Sequence, residues 1–171
     1  MKKTFSQSLH EIIDAVVLST VIVLVAFTFI FRIFVVFGTS MDTTLAGGQR
    51  IVVSDLFYTA KRGDIVCLYS KEEEQVLVKR VIATEGQTVN IDHNGNVYVD
   101  NVKLSEGYIG DQITKPHDVP MPHTVADGCV FVMGDNRGVS LDSRYSVIGD
   151  IPCDMLYGKM LFRLNPFGKV E

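Results

Sequence analysis

Three stretches of the chain hold residue types that could do chemistry. The first is Ser40, in Phe37-Gly-Thr-Ser-Met-Asp-Thr-Thr-Leu45. A serine hydroxyl becomes a nucleophile only when a base takes its proton, and most serines are solvated or cap a turn. The four histidines (His10, His93, His117 and His123) are scattered, and none has an obvious Ser/His/Asp setting. A histidine-based triad is therefore weakly supported. The second stretch is Val76-Leu-Val-Lys-Arg-Val-Ile-Ala83, a run fit for a buried strand but interrupted by Lys79 and Arg80. Alternation puts Lys79 on one face with Leu77 and Val81, and Arg80 on the other with Val78 and Ile82. Either the strand lies at a sheet edge and both cations reach water, or a lysine is desolvated and its pKa falls. A drop of roughly 3 units from ~10.4 costs about 4 kcal/mol and leaves a large neutral fraction near pH 7–8. A neutral lysine beside a serine is a nucleophile–base pair. The third stretch, Gly134-Asp-Asn-Arg-Gly-Val-Ser-Leu-Asp-Ser-Arg144, packs two Asp, two Arg, two Ser and one Asn into eleven residues. It reads either as a polar turn with Asx caps and a surface ion pair, or as a shell that orients other groups.

The elements around these residues read as strands. β-Branched runs at Arg50–Ser54, Asp64–Tyr69, Gln75–Ala83, Thr88–Asp92, Asn96–Val99, Cys129–Met133 and Lys159–Leu164 alternate with turn residues. That pattern predicts a mainly β, antiparallel domain. Asn94-Gly95 predicts a two-residue hairpin turn, and Asp100-Asn101 a second tight turn. Lys71-Glu-Glu-Glu-Gln75 is expected to be an exposed turn between strands. Residues 105–128, with Pro116, Pro120 and Pro122, are expected to form a long loop.

Ahead of this domain, Ala15 to Phe31 are 17 residues without a charge, and Ile33–Phe37 extends the apolar run past Arg32. About 20 helical residues cross a ~30 Å hydrocarbon core, and an arginine near one end can snorkel to the headgroups. The reading is a transmembrane helix over 15–37 between a cytoplasmic tail (1–14) and an extracytoplasmic domain (38–171). A cleaved secretory signal is disfavoured, since bulky residues follow the apolar core up to Gly38. A buried soluble helix is disfavoured by apolarity on every face. Lys2 and Lys3 favour a cytoplasmic N-terminus.

Composition sets the outer bounds. A chain of 171 residues, 47% hydrophobic and 21% charged, has room for one core and one appendage and is neither disordered nor collagen-like. Of the formal charge of -4, residues 1–32 contribute +1 and the remainder -5, which argues against nucleic-acid binding. Three cysteines, at 67, 129 and 153, form no CxxC pair. Cys67 is expected to be a small buried hydrophobe; pairing of Cys129 with Cys153 stays open.

Taken together, the three stretches resemble the bacterial type I signal peptidases of the Ser/Lys class, in a short, Gram-positive-like form. Ser40-Met-Asp-Thr-Thr-Leu45 is similar to their nucleophile box, Lys79-Arg-Val-Ile-Ala-Thr-Glu-Gly86 to the lysine box, and Gly134-Asp-Asn-Arg to Asp142-Ser-Arg144 to a third. Gly63-Asp-Ile-Val66 and the segment from Gly158 to Phe167 add to the likeness, which runs over residues 10–168 in family order. The resemblance implies a signal-peptidase-like fold and a membrane-anchored serine endopeptidase that removes signal peptides from exported preproteins, cutting after small-x-small. It implies Ser40 as nucleophile, Lys79 as general base, Ser140 bonded to the lysine amine, and Asp142 with Arg144 as a shaping ion pair. It further implies Met41 in the pocket for the residue before the cut and the Ser40 N–H in the oxyanion hole, with Gly38 offering no hydroxyl. No metal or organic cofactor is implied. The partners are preproteins and membrane lipid, and the state a monomer. Thr43 stands where proline is usual, Glu85 and Gln87 replace the usual Pro and Asp, and two extra residues separate Arg144 from Gly149. The alternatives are a peptidase dedicated to one substrate, such as a pilin or conjugation subunit, a self-cleaving repressor-type Ser/Lys protein, and an anchored paralogue that binds preproteins without cutting.

Overall fold

The computed structural model describes residues 5–170, which divide into two compact units, the first ending at Arg32 and the second beginning at Ile33. In the first, helix α1 spans Phe5–Ile30. Its Leu9–Ile30 portion is long and apolar enough to cross a membrane, at about 33 Å for 22 residues. The hydroxyls of Thr20 and Thr28 donate to the carbonyls of Val16 and Leu24, so they bring no unpaired donor to an apolar surface. Lys2 and Lys3, on which the orientation argument rests, lie outside the described residues.

The apolar run expected to continue as one helix through Phe37 instead divides. The helix ends at Ile30 and Arg32–Val35 form strand β1 beside β2 (Arg50–Ser54). β-Branched and aromatic residues dominate Ile33–Phe37, and Val36 is buried in the core with its N–H bonded to the Gln49 carbonyl at 2.8 Å. Tertiary burial, rather than local apolarity, sets this boundary.

The second unit is mainly antiparallel sheet, as the alternation predicts. The remaining strands are β3 (Ile65–Ser70), β4 (Gln75–Thr84), β5 (Thr88–Ile91), β6 (Val97–Val99), β7 (Val102–Lys103), β8 (His123–Thr124), β9 (Cys129–Met133), β10 (Ile151–Pro152), β11 (Leu156–Leu164) and β12 (Phe167–Gly168). The large sheet runs β1-β2-β11-β3-β4-β9-β10, with β12 on β11; the small one runs β7-β6-β5-β8. Both faces of the large sheet are covered. Ile65 and Cys67 of β3 join Val36, Met41, Leu45, Ile51 and Val53 in one core cluster, while Val66 and Leu68 face another with Val130 and Val132. Phe131 and Met133, on the alternate face of β9, pack with Val89, Val97 and Val99 of the small sheet.

The hairpin between β5 and β6 corrects an expectation. Asn94-Gly95 is not a two-residue turn. Gly95 donates to the Asp92 carbonyl and takes φ +81°, while Ile91 pairs with Val97. This is a type I turn closed by a left-handed glycine, the three-residue alternative. The Asp92 carboxylate selects it by accepting the N–H groups of Asn94 and Asn96. Asp100 and Asn101 both have positive φ and make the second tight turn between β6 and β7.

Candidate active site

The site forms where β9 leaves β4. The register between these strands begins at Arg80↔Met133, so toward Gln75 that edge of β4 is open. A cleft of about 270 Å³ lies along it, lined by the turn around Ser40, by Gln75, Val76, Leu77 and Lys79 of β4, by Glu73, and by Val139 and Leu141. The structure thus brings Ser40 and Lys79, 39 residues apart in sequence, into one cleft. Among the described residues no histidine lines it, and no group of three His, Cys, Asp or Glu side chains is placed to hold a metal ion.

Lys79 is 2% exposed, pairs across the sheet with Val66, and donates from Nζ to Ser140 Oγ at 3.0 Å. Burial pulls its pKa down to about 8; the Asp142 and Glu73 carboxylates resist that fall and the Arg144 guanidinium adds to it. Both cations of β4 are buried, so the sheet-edge reading fails for each. Arg80, on the other face, is 4% exposed and makes a fork with Asp135 (Nε–Oδ1 2.8 Å, Nη2–Oδ2 2.7 Å). It also donates to the Gly63 carbonyl at 2.9 Å and lies 3.9 Å over the Tyr108 ring.

The polar stretch 134–144 is not a surface turn. Asp135, Arg137, Ser140, Asp142, Ser143 and Arg144 are all buried. Asp142 accepts from Arg144 Nε at 2.8 Å and Nη2 at 2.9 Å, and from the Gly134 N–H at 3.0 Å. Burial alone would raise its pKa, but these bonds and the guanidinium charge hold the carboxyl below its ordinary value. Arg144 also donates to the carbonyls of Lys115, Arg137 and Ser140, which folds the stretch around its guanidinium. Asn136 then clamps the serine turn, its N–H on the Ser40 carbonyl at 2.9 Å and its amide on the Thr39 carbonyl at 3.0 Å. Gly134 is required there: a Cβ would come within 2.3 Å of Ser140 Oγ and 2.4 Å of the Ser40 carbonyl.

Several placements differ from, or add to, the sequence reading. Met41, expected in the pocket, is 1% exposed and packs in the core beneath the turn with Leu45 and Val53. Thr43 takes φ +94°, which a proline locked near −65° cannot adopt, and its hydroxyl donates to the Tyr108 carbonyl at 2.6 Å. Glu85 accepts the Gly128 N–H at 2.8 Å, and Gln87 the Thr84 N–H at 3.1 Å. The cysteines are free thiols; Cys67 is fully buried, with its pKa pushed up to about 12. The buried pair Arg137–Glu106 and the Tyr108 ring beside Arg80 escaped the sequence reading. Nothing in the proline-bearing loop distinguishes Glu106 or Tyr108 from solvated residues.

The family model described as signal peptidase, peptidase S26, matches residues 9–165. The chain belongs to that family. It is 35% identical to signal peptidase I of Bacillus licheniformis over 96% of this chain and 92% of the relative. It is 32% identical to signal peptidase IB of Staphylococcus aureus, covering 96% and 94%. A crystal structure of a signal peptidase I from Enterococcus faecalis superposes with a TM-score of 0.54 at 29% identity, covering 61% of this chain and 98% of that one. Membership of the S26 family makes this signal peptidase I homologue a peptidase, and so a hydrolase.

Proposed function

We propose that the chain is a membrane-anchored Ser/Lys endopeptidase that removes signal peptides from exported preproteins, with Ser40 as nucleophile and Lys79 as general base. The observation that carries this reading is a lysine amine, 2% exposed and with its pKa lowered to about 8, in the same cleft as Ser40. A fraction of that amine is neutral near pH 7–8 and can take a proton.

In this mechanism Lys79 takes the Ser40 hydroxyl proton as Oγ attacks the scissile carbonyl carbon. The backbone N–H of Ser40 stabilises the resulting oxyanion, and Gly38 adds no hydroxyl to it. The C–N bond breaks, the leaving amine takes the proton from Lys79, and the acyl group stays on Oγ. Water then gives a proton to Lys79 and attacks the ester, releasing the signal peptide's carboxylate and restoring the hydroxyl. Ser140 orients the Lys79 amine, while Asp142 and Arg144 shape the loop that carries Ser140. Helix α1 anchors the enzyme in the membrane with the N-terminus in the cytoplasm and residues beyond the helix on the extracytoplasmic side. Confining enzyme and preprotein to one layer raises their effective concentration.

The test is cleavage of a labelled preprotein by the detergent-purified full chain, beside Ser40→Ala, with the product's new N-terminus sequenced. A cut after small-x-small that vanishes in Ser40→Ala is expected. Retained cleavage by that variant overturns the nucleophile assignment.

A further inference from the structure

The charge run Lys71-Glu-Glu-Glu-Gln75 reads as an exposed turn, and for Lys71, Glu72 and Glu74 it is one. Glu73 is different. It is half-buried, its N–H bonds to Ser70 Oγ at 3.3 Å, and Gln75 Nε2 donates to its carboxylate at 2.5 Å. Glu74, at φ +50°, turns the chain so that Glu73 lies against the start of β4 and lines the cleft. Among the described residues lining that cleft, Glu73 and Lys79 alone carry a formal charge, and Lys79 is 2% exposed. The remaining lining includes the exposed apolar side chains of Phe37 and Val139, together with Val76, Leu77 and Leu141. A peptide entering the cleft therefore meets these apolar side chains, the uncharged polar groups of Thr39, Ser40 and Gln75, and one carboxylate.

We infer that Glu73 selects substrates by charge, favouring a preprotein segment with a neutral or basic residue close to the cut and disfavouring one with an acidic residue there. This rests on the cleft being the peptide-cleaving site. An acidic substrate side chain would be held against a fixed carboxylate on a partly desolvated surface, where like charges repel more strongly than in bulk water. Glu73 has a second effect through the groups that face Lys79. Of these, Asp142 and Glu73 favour the ammonium, Arg144 opposes it, and Ser140 accepts its hydrogen bond. Removing the Glu73 charge should let Lys79 lose its proton at lower pH.

The experiment compares peptides spanning one cleaved preprotein site, identical except for Gln, Lys or Asp at single positions on either side of the cut. The full-length protein is used in detergent at low salt. Wild type is expected to prefer the Lys peptide over the Asp peptide by about threefold in kcat/KM at the position facing Glu73. Glu73→Gln should bring that ratio near one, and Glu73→Lys should invert it. With Glu73→Gln, the acid limb of kcat/KM should move down by about half a pH unit. A ratio unchanged in Glu73→Lys overturns the inference. The same peptides titrated onto Ser40→Ala protein, with and without Glu73→Lys, read the preference as affinity and decide it without any bond being cut. Cleavage that survives Ser40→Ala would instead overturn the Ser/Lys reading. The two failures are therefore distinguishable.

Discussion

The two faces of β4 carry adjacent cations under opposite regimes. Lys79 and Arg80 are equally buried, yet Arg80 has a forked carboxylate, a carbonyl and a ring, whereas the Lys79 amine has a hydroxyl. A guanidinium stays charged in proteins, so burying it demands a full set of partners. An amine can shed its proton instead, and burial lowers its pKa where no carboxylate is close enough to offset it. One cation thus holds the fold while its neighbour, the proposed base, can lose its proton, and the difference lies in the side-chain type and the partners supplied rather than in burial.

The largest expected effect breaks the reactive side. Lys79→Met keeps the length and removes the amine, so single-turnover cleavage should fall by about 10³-fold while the variant folds. Cleavage near the wild-type rate would end the comparison. On the structural side, Asp135→Asn leaves Arg80 buried beside a neutral amide and weakens the acceptor for the Thr44 hydroxyl. Urea unfolding should show a loss of about 3–5 kcal/mol. A loss under about 1 kcal/mol would mean that Arg80 finds water and the two cations are not distinct.

The third effect is a pH dependence. From about pH 8 to 10.5 the unfolded chain still binds the Lys79 proton while the folded chain has released it, so stability rises with pH across that window. Summed over the window the gain is about 3 kcal/mol. It should be read as the difference between wild type and Lys79→Met, because the raised pKa values of Tyr58, Tyr108 and Cys67 act in the opposite direction at high pH in both proteins. A flat difference curve would show that Lys79 is not desolvated. The smallest effect sharpens the contrast: Ser140→Ala removes the acceptor that orients the amine and should lower kcat about tenfold with KM little changed. A change confined to KM would place Ser140 in substrate binding instead.

Much of the fold was legible because the large sheet is covered on both faces. Ile51–Val53 and Cys129–Met133 are uninterrupted apolar runs, and they form the centre of β2 and all of β9, with the strand bounds the sequence suggests. Two-residue strands such as β7 and β8 left no signal, since a period of two cannot show in two residues. Ile33–Phe37 misled because an apolar β-branched segment serves a membrane helix and a sheet edge equally well. The site was legible through residue types that burial normally excludes, a lysine inside a strand and a polar cluster after an apolar one.

By itself the sequence determined the elements and the chemical inventory: an apolar helix, alternating strands, one candidate nucleophile and one lysine out of place. These are local properties of side-chain order, readable without knowing what lies across the sheet. Tertiary structure alone decided that both cations of β4 are buried, that Asp135 belongs to Arg80, and that Asn136 holds the Ser40 turn. Each depends on which groups long-range pairing brings within 3 Å, and desolvation at such a point, rather than residue type, sets whether a lysine is a surface charge or a base.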